Sequence, residues 1–482
     1  RNVEGDVGIS WPTIGFAHYE DLIERLEADP MVAAACPTIE SFGMIGLPDD
    51  RLKGVKIRGI DERYSRVTDW ENSIWWKPIE APLPKDVARE DPRLPESGAP
   101  SERSVPKAFW ERRRIDGLRL VKRDDATGIE RPAVVPGIEM AGFSQRQPGA
   151  WYSIAELGIN KRKSGGTTPF ETINGFIVNH SVTINVLPMD RGGRNIGVTS
   201  RKLPVANEFR TGVFEFDNNV VMMNLAELQR MLKMDAAERL EGPSGDPYAI
   251  EDAGSTAAQP KTQVNGIEPA RVTHVFVKAK PGITPDQLRD RCERIYSDFA
   301  AHFGTEVPPP SALARARSIA TWEQSYGMFI SAVKKEIAMV LGLLVFISFV
   351  AVFLVLAIFW AMVSEKTRDV GVLRAVGASR SGIAWLWLRY GLTLGIVGTA
   401  LGLAVSYAIV WNINPIHEWL GRAFGLTIWD PKIYYFSELP RHVDPDKAIV
   451  VLIGALIFSV IGALIPALRA AAYDPVRSLR FE

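Results

Sequence analysis

The sequence predicts an α+β fold class in two parts, a large mixed α/β domain followed by an α-helical transmembrane bundle. Residues 1–336 are mostly polar and carry alternating strand and helix signals, whereas three long apolar runs follow, over 337–363, 390–411 and 448–468. The first run contains no charged residue. As a helix it is roughly 40 Å long, which exceeds the ~30 Å thickness of a membrane's hydrocarbon core.

The charges between the first two apolar runs predict the orientation of the chain. This segment, 364–389, is short and basic, with Lys366, Arg368, Arg374, Arg380 and Arg389 against Glu365 and Asp369. Short basic loops lie on the cytoplasmic side. The domain 1–320 and the loop 412–447 are therefore predicted to be extracytoplasmic, and the tail 469–482 cytoplasmic. Since the chain begins at Arg1 without an apolar segment, we expect a fourth span that precedes Arg1 and is absent from this sequence.

Helix and strand signals near both ends of the domain predict two βαβ-like halves that fold together. An amphipathic pattern over 19–28 predicts a helix, and strands are predicted over 31–39 and 55–60. A strand over 272–278 precedes a helix over 285–303, which Thr284 and Gln287 begin with a capping box. A β-rich region resumes near residue 135.

Two stretches of the domain have the composition of irregular chain. Residues 62–131 are rich in proline and charge, which favours an irregular inserted loop, although its tryptophans predict that parts fold back onto the domain. Residues 242–266 predict a mobile polar loop. Cys36 and Cys292 show no metal-ligand spacing, so they either form a disulfide or remain two separate buried thiols.

The junction between the domain and the first apolar run predicts a stalk helix over 321–336. Thr321 and Gln324 form a second capping box, and no helix breaker separates them from residue 337. Trp322, Tyr326 and Phe329 lie on one face of this helix. We therefore expect one continuous helix that leaves the domain and crosses the membrane, and that can carry motion between the two compartments.

The basic segment itself predicts a short amphipathic helix. Val370, Leu373 and Val376 recur at helical spacing. Gly377 can adopt the left-handed conformation that ends a helix, and Ser379 can cap the next one. Two interpretations remain open, a turn that lies in the lipid headgroups and a rigid cytoplasmic knob that docks on another protein.

Two motifs here resemble the permease subunits of the MacB/FtsX superfamily of ABC transporters. These are EKTRDVGVLRAVGAS at 365–379 and GLTLGIVGTALG at 391–402, and the nearest resemblance is to lipoprotein-releasing (LolC/LolE-type) permeases. The resemblance implies that the basic segment is a coupling helix seated in a groove of a separate ATPase. The residues then expected to contact that ATPase are Glu365, Lys366, Arg368, Val370, Leu373, Arg374, Gly377 and Ser379.

The resemblance also implies the partners of this chain. We expect an ABC ATPase that binds ATP and magnesium, no cofactor on this chain, and a second permease protomer, either identical or a paralogue. A lipoprotein or another extracytoplasmic protein is a further expected partner, together with membrane lipid. Gly391, Gly395, Gly398 and Gly402 form one face without side chains, which allows close helix packing either within this chain or against the second permease.

Several function classes are excluded by what the sequence lacks. It has no Gly-x-x-x-x-Gly-Lys-Ser/Thr phosphate loop, no Gly-x-Ser-x-Gly elbow and a net charge of zero, which disfavours enzymes and nucleic-acid binding. No ionisable residue lies inside the apolar runs, as an ion-coupled carrier would need. We expect a bacterial inner-membrane permease that releases a hydrophobic or lipidated substrate. The alternative is an FtsX-type signalling scaffold that activates a cell-wall hydrolase.

Overall fold

The computed structural model describes residues 4–47, 51–78, 107–124, 127–146, 152–154, 180–190, 193–241, 263–424 and 443–473. Packing divides the chain at Tyr326 and Gly327 into an N-terminal unit, which ends at Tyr326, and a helical unit, which begins at Gly327. The N-terminal unit mixes strands with helices, and the helical unit contains long apolar helices. The mixed α/β class and the three apolar helices predicted from the sequence are confirmed.

The strands all belong to the N-terminal unit as far as the described residues go. They are β1 (Val7–Ser10), β2 (Phe16–Ala17), β3 (Val32–Gly46), β4 (Leu52–Ile60), β5 (Val121–Arg123), β6 (Glu130–Pro132), β7 (Val134–Pro136), β8 (Ser144–Arg146), β9 (Tyr152–Ile154), β10 (Ser181–Val186), β11 (Thr199–Pro204), β12 (Val220–Asn224), β13 (Ala237–Glu241), β14 (Gln263–Glu268), β15 (Arg271–Val272), β16 (His274–Ala279) and β17 (Ile319–Thr321).

Helices occur in both units. Those of the N-terminal unit are α1 (Tyr19–Glu27), α2 (Tyr64–Val67), α3 (Trp70–Ser73), α4 (Lys107–Arg119), α5 (Phe214–Asn219), α6 (Leu225–Leu232), α7 (Pro285–Phe303), α8 (Pro310–Ala316) and α9 (Trp322–Ser325). Those of the helical unit are α10 (Gly327–Glu365), α11 (Thr367–Ala375), α12 (Arg380–Trp411), α13 (Ile413–Phe424) and α14 (Pro445–Ala472).

Two interleaved split βαβ units organise the main sheet. Its strand order is β17-β1-β16-β3-β4-β12-β7, with β10 and β11 added beside β3. β1 and β3 both run antiparallel to β16 and are therefore parallel to each other, with α1 between them in the chain. β16 and β17 both run antiparallel to β1, with α7 and α8 between them. This topology places the beginning and the end of the N-terminal unit on adjacent strands.

The sheet buries a separate apolar cluster on each face because successive side chains of a strand point to opposite sides. One cluster packs α1, α6 and α7 against β1, β3 and β16 and includes Cys292. The other packs α2 and α3 against the same sheet and includes Cys36. Both cysteines are buried and free. The interpretation as two separate buried thiols is therefore confirmed, and the disulfide alternative is wrong.

The flanks of the predicted insertion are folded rather than irregular. Within 62–131, residues 64–67, 70–73 and 107–119 form helices, and Trp70, Trp76 and Trp110 are at most 2 % exposed. The indole rings of Trp76 and Trp110 stack with centroids 5.7 Å apart. Burial of these large aromatic side chains offsets the unfavourable local composition. Residues 79–106 lie outside the described residues, as do 242–262 of the predicted mobile loop.

The helical unit contains three helices that are long and apolar enough to cross a membrane among the described residues, namely 330–365 within α10, α12 and α14. α14 contacts both α10 and α12. A Cβ on Gly462 of α14 would lie 3.1 Å from the carbonyl oxygen of Val352, so a glycine there permits the close approach to α10. Residues 425–442 of the predicted loop and 474–482 of the tail lie outside the described residues.

The expectation of one continuous stalk helix is wrong. α9 ends at Ser325, and Tyr326 has φ −100° and ψ 18°, outside the helical range, before α10 begins at Gly327. Glycine at the next position has low helix propensity. The hydroxyl of Tyr326 donates a hydrogen bond of 2.8 Å to Glu4, which holds this residue to the N-terminal unit. The capping box of Thr321 and Gln324 is present as expected.

Candidate functional site

The candidate site is the short helix α11 together with the turns that flank it. Lys366 alone separates α10 from α11, and its backbone has φ −91° and ψ 14°. The chain is held through this turn, since the Lys366 amide donates to the Met362 carbonyl at 3.0 Å and the Thr367 hydroxyl donates to the Val363 carbonyl at 3.1 Å. The predicted short amphipathic helix is therefore present and follows the membrane helix α10 after this one-residue turn.

A complete set of hydrogen bonds closes the other end of α11. Gly377 has φ +105°, a conformation that side chains disfavour, and its amide donates to the Arg374 carbonyl at 3.1 Å. The Ala378 amide donates to the Leu373 carbonyl at 3.0 Å, which completes a Schellman motif. The Arg374 guanidinium donates to the Ala378 carbonyl at 3.1 Å. The Ser379 hydroxyl then accepts from the Gly382 amide and begins α12.

One face of α11 is buried within the helical unit. Val370 is 3 % exposed and packs in an apolar cluster formed by residues of all three long helices. The other members of that cluster are Phe359 and Val363 of α10, Ile383 and Trp387 of α12, and Ala463, Ala467, Ala470 and Ala471 of α14. The structure therefore removes Val370 from the residues that can contact a partner and makes it the anchor of α11.

Other apolar side chains of α11 and of the residue that follows it are exposed. Val372, Leu373 and Val376 are 48 %, 46 % and 85 % exposed. Val376 lies next to both Val372 and Leu373, because residues four and three positions apart are neighbours on a helix. Sequence reasoning placed Val376 in the helical pattern but not among the contact residues, and it missed Val372. The sequence feature that could have identified them is an apolar side chain on a helix that Val370 already anchors.

Charged residues surround this exposed apolar surface. Glu365, Lys366 and Arg368 are exposed, and the Lys366 ammonium lies 3.3 Å from the Asp369 carboxylate. Arg374 is only partly exposed, and its guanidinium stabilises the turn at Gly377. Arg368 is thus better placed than Arg374 to meet an acidic group of a partner. We name the exposed set of Arg368, Val372, Leu373 and Val376 the α11 surface.

The glycine stripe of α12 divides into a packed half and an open half. A Cβ on Gly391 would lie 2.5 Å from the Ala463 Cβ, and one on Gly395 would lie 2.9 Å from the Ser459 Cβ. The Ser459 hydroxyl also donates to the Gly391 carbonyl at 2.9 Å. A Cβ on Gly398 or Gly402 would meet no described atom within 4 Å. Gly391 and Gly395 therefore serve packing within this chain.

The predicted stalk residues lie on both sides of the boundary between the two units. Thr321 ends β17 and caps α9, the Trp322 amide donates to the Asp6 carbonyl at 3.3 Å, and Tyr326 contacts Glu4. Phe329 lies in α10. In the described part of the chain, no group of three or more His, Cys, Asp or Glu residues is placed to hold a metal ion.

Comparison with known proteins gives one family match and several relatives. Residues 341–475 match the family described as FtsX-like permease C-terminal. The lipoprotein-releasing system transmembrane protein LolC of Xylella fastidiosa is 22 % identical over 282 residues, 58 % of this chain and 56 % of that protein. LolC of Neisseria meningitidis serogroup B is 27 % identical over 173 residues, 36 % of this chain and 42 % of that protein.

A third relative joins two activities in its name. The macrolide export ATP-binding/permease protein MacB of Hyphomonas neptunium is 31 % identical over 128 residues, 27 % of this chain and 17 % of that protein. The matched stretches therefore span about half or less of each of these relatives. The family match covers α11, its two turns, all of α12 and α14, and α10 from residue 341. Residues 341–475 accordingly form an FtsX-like permease domain of the kind found in MacB/FtsX-type ABC-transporter permeases, and the chain is similar to LolC and LolE and lies in the bacterial inner membrane.

Proposed function

We propose that this chain is a non-catalytic membrane subunit that couples ATP hydrolysis on a partner ATPase to movement of its N-terminal unit. The observation that carries the proposal is the α11 surface, which exposes apolar side chains beside Arg368 on a helix that Val370 anchors among all three membrane helices. An exposed apolar patch with adjacent charge is typical of a protein-interaction site. Because α11 is packed rigidly, a push on its outer face moves the ends of α10, α12 and α14.

ATP and magnesium are assigned to the partner. The supporting observation is that these 482 residues contain no Gly-x-x-x-x-Gly-Lys-Ser/Thr loop to cradle phosphates. The MacB relative is named for both ATP binding and permease activity, which supports an ABC ATPase as the class of partner. We place it on a separate chain and propose a second permease protomer, identical or paralogous, beside this one.

The proposed substrate is a lipidated or otherwise hydrophobic molecule, such as a lipoprotein. The LolC and LolE relatives are named for lipoprotein release, which supports this choice. The signalling alternative, in which a cell-wall hydrolase is activated, gains no support from relatives that are named for release and export.

A single substitution on the α11 surface tests the proposal. Leu373→Asp places a charge in the apolar contact at a side chain that is 46 % exposed, and the loss at such a contact reaches about 2 kcal/mol, or roughly 30-fold weaker ATPase binding. Arg374→Glu is unsuitable because it also disturbs the turn at Gly377. The ATPase that co-purifies with the unmodified chain is titrated onto each variant in lipid nanodiscs.

The matched control is Val443→Asp, since Val443 is similarly exposed at 41 % but precedes α14 rather than lying in α11. We expect the control to bind and stimulate the ATPase as the unmodified chain does. If Leu373→Asp binds and stimulates it equally well, α11 is not the coupling site.

A further inference from the structure

The two ends of the N-terminal unit meet at one place. β1 pairs with β17, with Val7 opposite Thr321, and the Trp322 amide donates to the Asp6 carbonyl at 3.3 Å. The helix is interrupted at Tyr326, which alone joins α9 to α10. Any displacement of the chain at Gly327 therefore acts first on Tyr326 and its hydrogen bond.

Tyr326 is joined through one carboxylate to a buried arginine. The Tyr326 hydroxyl donates to Glu4 Oε1 at 2.8 Å, and Arg58 Nη2 donates to the same oxygen at 3.1 Å. Arg58 Nη2 also donates to Glu40 Oε1. Glu40 and Arg58 lie directly opposite each other on β3 and β4. A chain of hydrogen bonds thus runs from the last residue of the unit to two adjacent strands of its main sheet.

Contacts on several sides restrain the side chain of Arg58, so it cannot easily change its conformation. Its side chain is 0 % exposed and lies between the rings of Phe216 and Phe276, 5.5 Å and 5.4 Å from their centroids. Its Nη1 donates to the Tyr64 hydroxyl at 3.1 Å. A charge fixed in this way transmits displacement to its partners, because separating it from them leaves charges buried without compensation.

Two further basic residues lie close to the carboxylate of Glu40. Lys56 pairs with Glu40, and His274 Nε2 lies 3.7 Å from the same carboxylate. Burial alone would raise the pKa of Glu40, but Arg58, His274 and Lys56 hold it well below its usual range. Glu40 therefore stays ionised at neutral pH, and its attraction to Arg58 is kept.

We propose that Tyr326, Glu4, Arg58 and Glu40 form a clamp that transmits displacement of the chain at Gly327 to strands β3 and β4. The clamp gives the coupling between α10 and the N-terminal unit a residue-level path, and in this respect it rests on the proposed function. Tyr326 and Glu4 are positioning residues, since they act through the sheet and not on a substrate.

The first experiment measures the clamp without any partner. Hydrogen–deuterium exchange is followed on the full chain in nanodiscs for the unmodified protein, Tyr326→Phe and Glu4→Gln. Because a hydrogen bond to a charged group is lost, we expect amides of 319–326 and β1 to exchange about tenfold faster in Tyr326→Phe. Glu4→Gln keeps an acceptor for Tyr326 but weakens the pairing with Arg58, so we expect a smaller acceleration.

Tyr152→Phe is the matched control. The Tyr152 hydroxyl also donates to a carboxylate, Glu139, at 2.5 Å, yet this pair lies outside β1 and β17. We expect exchange over 319–326 to stay unchanged in this variant. Equal exchange over 319–326 in Tyr326→Phe and the unmodified chain would show that the clamp does not hold this segment.

The second experiment tests whether the clamp transmits displacement at Gly327 to β3 and β4. With the co-purifying ATPase bound, we expect Tyr326→Phe to hydrolyse ATP at the unmodified rate while nucleotide-dependent changes in exchange over β3 and β4 are lost. If those changes persist although 319–326 is loosened, the clamp is only structural and the transmission proposal fails. If no ATPase binds the unmodified chain, the proposed function fails, and the proposal of transmission through the clamp fails with it. The first experiment would then still report whether the clamp holds residues 319–326.

Discussion

Two connections between helices are held by different kinds of interaction. The first, at Tyr326, joins α9 to α10, and the second, at Gly377, joins α11 to α12. Around Tyr326 the contacts are polar, with hydrogen bonds from Tyr326 and Arg58 converging on Glu4. Around α11 the buried contacts are apolar, with Val370 enclosed by residues of three helices. Apolar packing fixes a helix without directional bonds, whereas a charge network holds one geometry and loses most of its strength when a partner moves.

Removing the buried cation should cause the largest effect. Arg58→Met leaves the carboxylates of Glu4 and Glu40 without their shared partner, and breaking a buried pair costs about 3–5 kcal/mol. We expect the N-terminal unit to unfold at markedly lower denaturant concentration in a chemical denaturation monitored by tryptophan fluorescence. Arg315→Met, at an exposed position on α8, is the control and should change stability by less than about 0.5 kcal/mol. Equal effects of the two variants would contradict a buried network.

A buried carboxylate that pairs with no cation among the described residues sharpens the contrast with Glu40. Glu208 accepts hydrogen bonds from Trp76 Nε1 and the Ser144 hydroxyl, and burial raises its pKa from 4.5 to about 7. The folded state therefore binds more protons than the unfolded state between pH 4.5 and 7, so the free energy of unfolding falls as pH rises through this window.

Glu208→Gln should remove the share of this pH dependence that Glu208 supplies, which is roughly 3 kcal/mol at most because one pKa unit corresponds to about 1.4 kcal/mol. Asp217, whose pKa burial raises to about 6, supplies the smaller share that remains. Chemical denaturation at pH 5 and pH 7.5 measures it. Glu238→Gln, at an exposed position, should leave the slope unchanged. A slope as steep in Glu208→Gln as in the unmodified chain would assign the titration to another group.

The two halves of the glycine stripe give a test of apolar packing. Gly391→Ala would place a methyl group 2.5 Å from the Ala463 Cβ, and such overpacking costs about 1–3 kcal/mol. Gly402→Ala meets no described atom within 4 Å and should be neutral or slightly stabilising. Thermal unfolding of the two variants in the same detergent compares them. Equal loss at both positions would mean that α12 packs along its whole stripe.

The smallest expected effect concerns the turn after Gly377. Ser379→Ala removes the hydroxyl that accepts from the Gly382 amide, and loss of such an N-cap costs about 1 kcal/mol. We expect a small drop in thermal stability of the helical unit, while Ser379→Thr retains the cap and most of the stability. A loss as large in the threonine variant would show that the cap bond is not the cause.

The features predicted correctly from the sequence depend on residues that are neighbours in the chain. The capping boxes at Thr284 and Thr321, the short helix α11 and the cap at Ser379 each need only three or four successive residues. Apolar length alone identifies the three long helices.

The features that were missed depend on distant residues. Tyr326 leaves the helix where it bonds Glu4, which is 322 positions away in the chain. Val370 is buried because residues from α10, α12 and α14 meet over it, and no local pattern distinguishes it from the exposed Leu373. The open and packed halves of the glycine stripe likewise differ only in what α14 places opposite them.

The most direct measurement of the central claim is cross-linking from the two faces of α11 to the ATPase. Val376→Cys and Val370→Cys place thiols at an exposed and a buried position, 85 % and 3 % exposed, while Cys36 and Cys292 remain buried. With a thiol-to-amine cross-linker and the co-purifying ATPase, we expect an ATPase adduct from residue 376 and none from residue 370. No adduct from residue 376, or adducts of equal yield from both, would contradict coupling through the α11 surface.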